Sequence, residues 1–268
     1  MSERNSLNDL GPASISETGI AASDYSPVAI MPDMRVVKLG GQSLLDRGRK
    51  ALFPVLDELV AARAAGIPIL IGTGGGTRAR HVYSIASELE LPTGVLAKLG
   101  GYVAMQNARM VQMLTAKHGG IYITDDDFEK LPLYTKMGCL PVTTGMPPFG
   151  YWEKRGANSR IPPNRTDAGV FLSAEFLGCK RAIYIKDEDG LYTDDPKKNP
   201  KAIHIPRISA QELIERDLND VILERVVIEY LARSKWVKEL QIVNGLKPGQ
   251  VTAALHGEDV GTIIYSDH

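Results

Sequence analysis

The chain reads as an α/β fold, a mainly parallel open sheet sandwiched by helices, and three observations predict it. Short apolar runs of strand length alternate with helix-period stretches between residues 34 and 265. The runs are apolar on successive residues, the pattern of strands buried on both faces. Glycine-rich or acidic turns follow three of them, at the carboxyl ends where an open α/β sheet leaves its ligand crevice.

Residues 1–30 are rich in Ser, Asn, Gly, Pro and Ala and lack periodicity. They read as a flexible tail, or as an arm that wraps a neighbouring subunit. Residues 31–268 form the α/β domain. Met34 to Leu39 is the first strand. A helix follows over 48–65, with Leu52, Val55, Leu56 and Leu59 on one stripe. Residues 67–72 are a second buried strand, and helical patterns cover 77–89 and 100–118. Residues 120–124 and 140–144 are further strands, 167–176 a helix, and 181–186 a strand. Ser209 and Glu212 have the spacing of a capping box. A helix over 220–234, a strand at 240–243, a short helix after Pro248 and a strand at 262–265 close the chain.

Length and charge narrow the function. A chain of 268 residues, 44% hydrophobic, suits one large α/β domain. Basic residues number 31 against 32 acidic, so the basic excess of a generic nucleic-acid binder is missing. The polar start MSERNSLNDLGPAS has no apolar export segment, and no run of about 18 apolar residues spans a membrane. A cytoplasmic protein is expected. Cys139 and Cys179 each sit among apolar residues and read as buried free thiols.

Three turns carry candidate chemistry. In Lys38-Leu39-Gly40-Gly41 a lysine ends a buried strand, and the paired glycines let backbone approach a phosphate closely. The alternative is a tight turn with a solvated lysine. In Gly72-Thr73-Gly74-Gly75-Gly76-Thr77 three glycines precede a helix, so successive amides form a nest for an anion. The helix dipole adds only about 0.3–1 kcal/mol, against roughly 1.5–3 for each hydrogen bond to a charged group, so converging amides must dominate. Arg78 and Arg80 add cationic forks, but residues two apart on a helix face different ways. Neither the GxxxxGK[ST] loop nor a strict GxGxxG is present.

The third turn runs Lys186-Asp187-Glu188-Asp189-Gly190-Leu191-Tyr192-Thr193-Asp194-Asp195-Pro196. Lys186 can lean on a phosphate and Tyr192 can cap a base. A solvated acidic turn is the rival reading. Between these turns lies Arg165-Thr166-Asp167-Ala168. Thr166 or Asp167 suits a helix N-cap. The functional alternative sets Asp167 beside phosphates or a metal ion and Arg165 on an oxyanion. Asp125, Asp126 and Asp127 read as an acidic helix start rather than a cation site. No two of the five histidines, His81, His118, His204, His256 and His268, are three or four apart, so no metal site is legible.

Taken in order, Lys-x-Gly-Gly, Gly-Gly-Gly, Arg-Thr-Asp-Ala and Lys-x-x-Asp-Gly-Leu-Tyr-Thr-Asp-Asp-Pro resemble the amino acid kinase superfamily near its uridylate kinases. The stretches 40–48, 76–84, 145–148, 161–169 and 186–193 resemble most closely the molybdenum storage proteins, β-type subunits in particular, which carry lysine at the Lys186 position.

The resemblance implies a cage-like hexamer, homo- or hetero-oligomeric, with a related α-type subunit. Such a cage uses ATP, with Mg2+, to accumulate molybdate or tungstate as polynuclear oxide clusters. It implies phosphate contacts from Lys38, Gly40, Gly41, Gly74, Gly75 and Lys186. Asp187, Gly190, Tyr192, Asp195 and Pro196 would border the nucleotide, and Arg78, Arg80 and Arg165 would face oxyanions. The alternative it implies is a uridylate kinase-like phosphotransferase, with Lys38 and Asp167 as its catalytic residues.

Overall fold

A computed structural model describes residues 28–157, 159–218 and 221–267. The expected tail therefore lies, up to residue 27, outside the described residues. Beyond it, the Met31 amide donates to the Leu177 carbonyl at 2.7 Å and ties the entering chain to the domain.

The elements run β1 (Arg35–Leu39), α1 (Arg49–Ala64), β2 (Ile69–Thr73), α2 (Gly76–Glu88), α3 (Thr93–Thr115), β3 (Gly120–Tyr122), α4 (Leu131–Lys136), β4 (Leu140–Thr144) and α5 (Thr166–Leu177). They continue with β5 (Arg181–Lys186), β6 (Leu191–Tyr192), β7 (His204–Ile205), β8 (Arg207–Ser209), α6 (Ala210–Arg216), α7 (Arg225–Leu231), β9 (Glu239–Asn244), α8 (Gln250–Leu255) and β10 (Thr262–Tyr265). Eight strands form one sheet in the order β3-β4-β2-β1-β5-β9-β10-β8. All neighbours are parallel except β9 and β10.

The strands are apolar throughout because both faces are covered. Alternate residues enter two cores. Val36, Ala182, Tyr184, Leu240 and Ile242 face the layer of α5, α6 and α7. Val37, Ile69, Ile71, Ile183, Ile185 and Val243 face the layer of α1, α3 and α8. Period-2 pleating sends successive side chains to opposite faces, so continuous apolar runs serve both layers. The expected mainly parallel sheet is thus present.

Several element boundaries differ from the sequence reading. The helix expected at 100–118 begins at Thr93, just after Pro92. Gly94 and Gly100 within it are close-approach points rather than breakers: a Cβ on Gly94 would sit 2.3 Å from the Tyr151 carbonyl oxygen. The helix expected at 220–234 is only Arg225–Leu231. Residues 219 and 220 lie outside the described residues, and Ile222 at φ 46° turns the chain away from helix. Ser209 Oγ does accept from the Glu212 amide at 3.1 Å, but the Glu212 carboxylate pairs with Arg216 instead of reaching back. Thr124 and Asp127 cap the turn Asp125–Lys130, as the acidic start suggested. Cys179 is buried and Cys139 half-buried, both free. Among the described residues, no helix is long and apolar enough to cross a membrane.

Candidate functional site

The chain fills the sheet outward from β1 through β2 to β4 and β3, then returns to the other side of β1 with β5 and β9. The β1–β5 boundary is therefore the switch point, and its carboxyl end is where a doubly wound sheet leaves a crevice. Lys38 is the penultimate residue of β1 and Lys186 the last of β5. The register sets Lys38 opposite Tyr184, so Lys186 emerges on the same face of the sheet two residues further toward the carboxyl end.

Asp167, second residue of α5, meets both. Lys38 Nζ forms an ion pair with Oδ1, and Lys186 Nζ lies 3.5 Å from Oδ2. The Lys38, Asp167 and Lys186 side chains are 6%, 7% and 12% exposed. Tyr184 Oη donates to the Asp167 carbonyl at 3.0 Å, and the Glu224 amide donates to Oδ2 at 3.2 Å. Burial alone would raise the Asp167 carboxyl. The charges of Lys186 and Lys38, with the hydrogen bonds it accepts, outweigh burial and hold it well below the usual carboxylate range. Burial pushes the Lys186 ammonium down to about 8; Asp167 opposes that shift and Lys38 adds to it.

The N-terminus of α5 is capped from a distance. Neither Thr166 nor Asp167 serves as its side-chain cap, contrary to the simpler sequence reading. Glu224 does so: Oε2 accepts from the Arg165 amide at 2.9 Å and the Ala168 amide at 3.0 Å, and Oε1 accepts from the Asp167 amide at 3.1 Å. Arg165 Nε lies 3.6 Å from Oε1. Burial raises the Glu224 carboxyl and the Asp167 charge adds to that, against Arg165 and Lys38.

Two glycine loops close over the lysines. A Cβ on Gly41 would lie 2.1 Å from the Gly76 nitrogen, so only glycine lets the loops touch. The Gly74 amide donates to the Leu39 carbonyl at 3.0 Å and joins the second loop to the end of β1. Asn107 Nδ2 holds the Gly74 carbonyl at 2.6 Å, turning that peptide oxygen away from the cleft. Gly41 and Gly75 are buried, yet their amides bond to no acceptor among the described residues. Free amides and two lysines lining one cleft can donate to the oxygens of an anion.

These parts wall a cleft of about 850 Å³. Lys38, Gly40, Gly41, Gly74, Gly75, Asp167 and Lys186 form its centre. Asp187, Asp195, Pro196 and Lys197 line it as well, as do Arg80, Tyr83, Ser84, Ser87 and Arg165. Lys197 Nζ lies 3.2 Å from Asp187 Oδ2, and Arg47 pairs with the same oxygen.

Three expected residues do not line this cleft. Arg78 turns to Asn107 and Gln106, the divergence from Arg80 that two-residue spacing requires. Tyr192 packs edge-on against His204, ring centroids 5.2 Å apart. Gly190, at φ 145°, lies against Thr262, whose Oγ1 would be 2.1 Å from an added Cβ. Sequence reasoning missed Glu224, Tyr83 and Asn107; Tyr83 lies in the stretch 76–84 that carries the resemblance, but the other two sit in no recognisable motif. Among the described residues, no three His, Cys, Asp or Glu side chains gather as a metal site.

Residues 33–244 match the amino acid kinase family. The chain is 52% identical over 244 residues to molybdenum storage protein subunit beta of Azotobacter vinelandii, covering 91% of this chain and 89% of that protein. It is 27% identical over 239 residues to the uridylate kinase of Methanobrevibacter smithii, covering 86% of this chain and 98% of that one. Among solved structures, uridylate kinase from Archaeoglobus fulgidus superposes with a TM-score of 0.65 at 24% identity, over 86% of this chain and 100% of that chain. UMP kinase from Bacillus anthracis superposes with a TM-score of 0.66 at 19% identity, over 88% and 97%. These structural likenesses bear on the fold alone.

Proposed function

The chain belongs to the amino acid kinase family, in the branch of the molybdenum storage proteins, and on that premise we propose that it is the ATP-binding subunit of a cytoplasmic molybdate or tungstate storage complex. The observation that carries the reading is the pairing of Lys38 and Lys186 across Asp167, in the cleft that Gly41 and Gly75, with their unbonded amides, also line. The complex is a hexameric cage built with a related α-type subunit. Neither nucleic acid nor membrane is a partner.

In this reading the glycine amides bind phosphate oxygens and the two lysines neutralise their charge. Asp167 keeps both ammonium groups oriented, and its charge opposes the loss of the Lys186 proton when no phosphate is present. Asp187, Asp195 and Pro196 border the nucleoside. Mg2+ keeps several waters and takes one or two carboxylates plus phosphates. Asp187 and Glu188 on the cleft wall would hold it and screen the phosphate charge. Arg80 and Arg165 face the oxyanion, whereas Arg78 would meet one only outside this cleft. Bound ATP supplies the free energy of phosphoanhydride hydrolysis for uptake. Condensing molybdate into polynuclear oxide consumes protons and concentrates negative charge, and a closed cavity lined with donors offsets that repulsion.

The test is to load purified protein with ATP, Mg2+ and molybdate or tungstate and measure metal per chain by elemental analysis. Many metal atoms per chain support storage; one or none refutes it. The second reading, a uridylate kinase-like phosphotransferase using Lys38 and Asp167, is favoured by the same lysine–aspartate pair and by the uridylate kinase relatives. It predicts ADP formation that depends strictly on UMP.

A further inference from the structure

We infer that Glu224 is a positioning residue of this site, fixing where Asp167 and Arg165 stand in the cleft. The inference rests on the proposed nucleotide site, and names a residue outside every recognisable motif that the site needs.

Four observations carry it. First, the contact is reciprocal: the Asp167 amide donates to Glu224 Oε1 at 3.1 Å, and the Glu224 amide donates to Asp167 Oδ2 at 3.2 Å. That pair fixes both the backbone and the carboxylate of Asp167, and so the spot where Lys38 and Lys186 meet. Second, the same Glu224 carboxylate takes the Arg165 amide and lies beside its guanidinium, so one side chain sets two cleft residues.

Third, both Glu224 oxygens are already engaged by three amides and an arginine. It therefore has no oxygen left for a proton transfer or a metal ion, although it borders the cleft. Its role is to hold other groups. Fourth, the chain is bent to deliver it. Ile222, a β-branched residue at φ 46°, occupies a region such residues rarely enter. Strained backbone persists where surrounding contacts over-determine it, often beside functional sites. Straightening Ile222 into helix would extend α7 backwards and withdraw Glu224 from α5.

The experiment compares wild type with E224D, E224Q, R165Q and the double variant E224Q/R165Q. ATP affinity in Mg2+ is read by titration calorimetry and folding by thermal melting. Positioning predicts that E224Q weakens ATP at least fivefold with a cooperative melt. E224D must resemble E224Q, because its charge is kept but its arm is too short for three amides. The double variant must be no weaker than the weaker single, since Glu224 acts partly through Arg165. An E224D protein that binds like wild type, or strictly additive losses, would overturn the inference.

Should the Glu224 variants not fold, hydrogen exchange on wild type decides. ATP must slow exchange at amides 165–168 and in 221–225 together; slowing of the first segment alone refutes the coupling. A wild-type protein that binds no ATP sinks the nucleotide reading itself, which is a separate result.

Discussion

The Lys38 ammonium and the Asp167 carboxylate, 129 residues apart in sequence, form a buried ion pair at the end of the central strand. Breaking a buried pair from one side costs roughly 3–5 kcal/mol, because the remaining charge loses its partner. Asp167→Asn leaves Lys38 and Lys186 facing one neutral amide. The expected outcome in urea unfolding is a loss of about 3 kcal/mol or more. Lys38→Met added to Asp167→Asn should recover part of that loss, since it removes one of the two stranded charges. Additive losses would show that the two residues do not interact.

Lys186 gives the site a pH dependence. Burial lowers its ammonium from an ordinary 10.5 to about 8. Between those values the unfolded chain holds a proton that the folded chain has released. The charged lysine thus penalises folding below pH 8, and stability gained through it rises as pH climbs from about 8 toward 10.5. Phosphate binding runs the other way, because it needs the charge. ATP affinity should fall above pH 8, and binding near pH 8.5 should take up a proton. Calorimetry in buffers of different ionisation enthalpy measures that uptake. Lys186→Met should abolish it; uptake that survives in the variant assigns the proton elsewhere.

Much of this was legible in the sequence, for a physical reason. A strand covered on both faces must be apolar throughout, so β1, β2, β5 and β9 announce themselves, and the chemistry at their ends is found by reading one residue further. Lys38, Gly41, Gly75 and Lys186, which all line the cleft, are read that way. What the sequence hid acts across distance. Asp167 was a candidate, but its cap, Glu224, lies 57 residues on. Glu58 caps the start of α8 in the same fashion, accepting from the Gly249 amide at 3.1 Å and the Thr252 amide at 2.6 Å. No local pattern encodes such partners. Tyr192 misled for the opposite reason: an aromatic residue in an acidic turn resembles a base cap, yet it packs on His204.

Glu175 offers a control, away from the cleft, for a carboxylate that gathers distant loop amides. Its carboxylate accepts from the amides of Lys235, Trp236 and Val237 at 2.7, 3.0 and 2.8 Å. Glu175→Ala should cost about 1–3 kcal/mol, the scale of donors left without their acceptor, and leave ATP affinity within twofold of wild type. A large fall in affinity would mean that capping in general, rather than Glu224 in particular, governs the site.

The adjacent glycines of α3 should respond with opposite signs. An added Cβ on Gly101 meets nothing closer than Met146 Cγ at 3.8 Å, an ordinary contact. Alanine inside a helix loses less backbone entropy than glycine, so Gly101→Ala should stabilise by about 0.5–1 kcal/mol. On Gly100 the same atom would lie 2.0 Å from Tyr83 Oη and 2.6 Å from Cζ. Tyr83 is 7% exposed and packed among Ala79, Ala86, Leu96 and Val103, so its ring has little freedom to step back. Overpacking of this kind costs about 1–3 kcal/mol. The open direction for the ring is the cleft that Tyr83 borders. Gly100→Ala should therefore lower the melting temperature by several degrees and weaken binding in the cleft that Tyr83 and Arg80 line, while Gly101→Ala raises the melting temperature and leaves binding alone. Differential scanning calorimetry of the two single variants decides the stability signs, and equal shifts in the same direction would refute the packing of α2 against α3 described above.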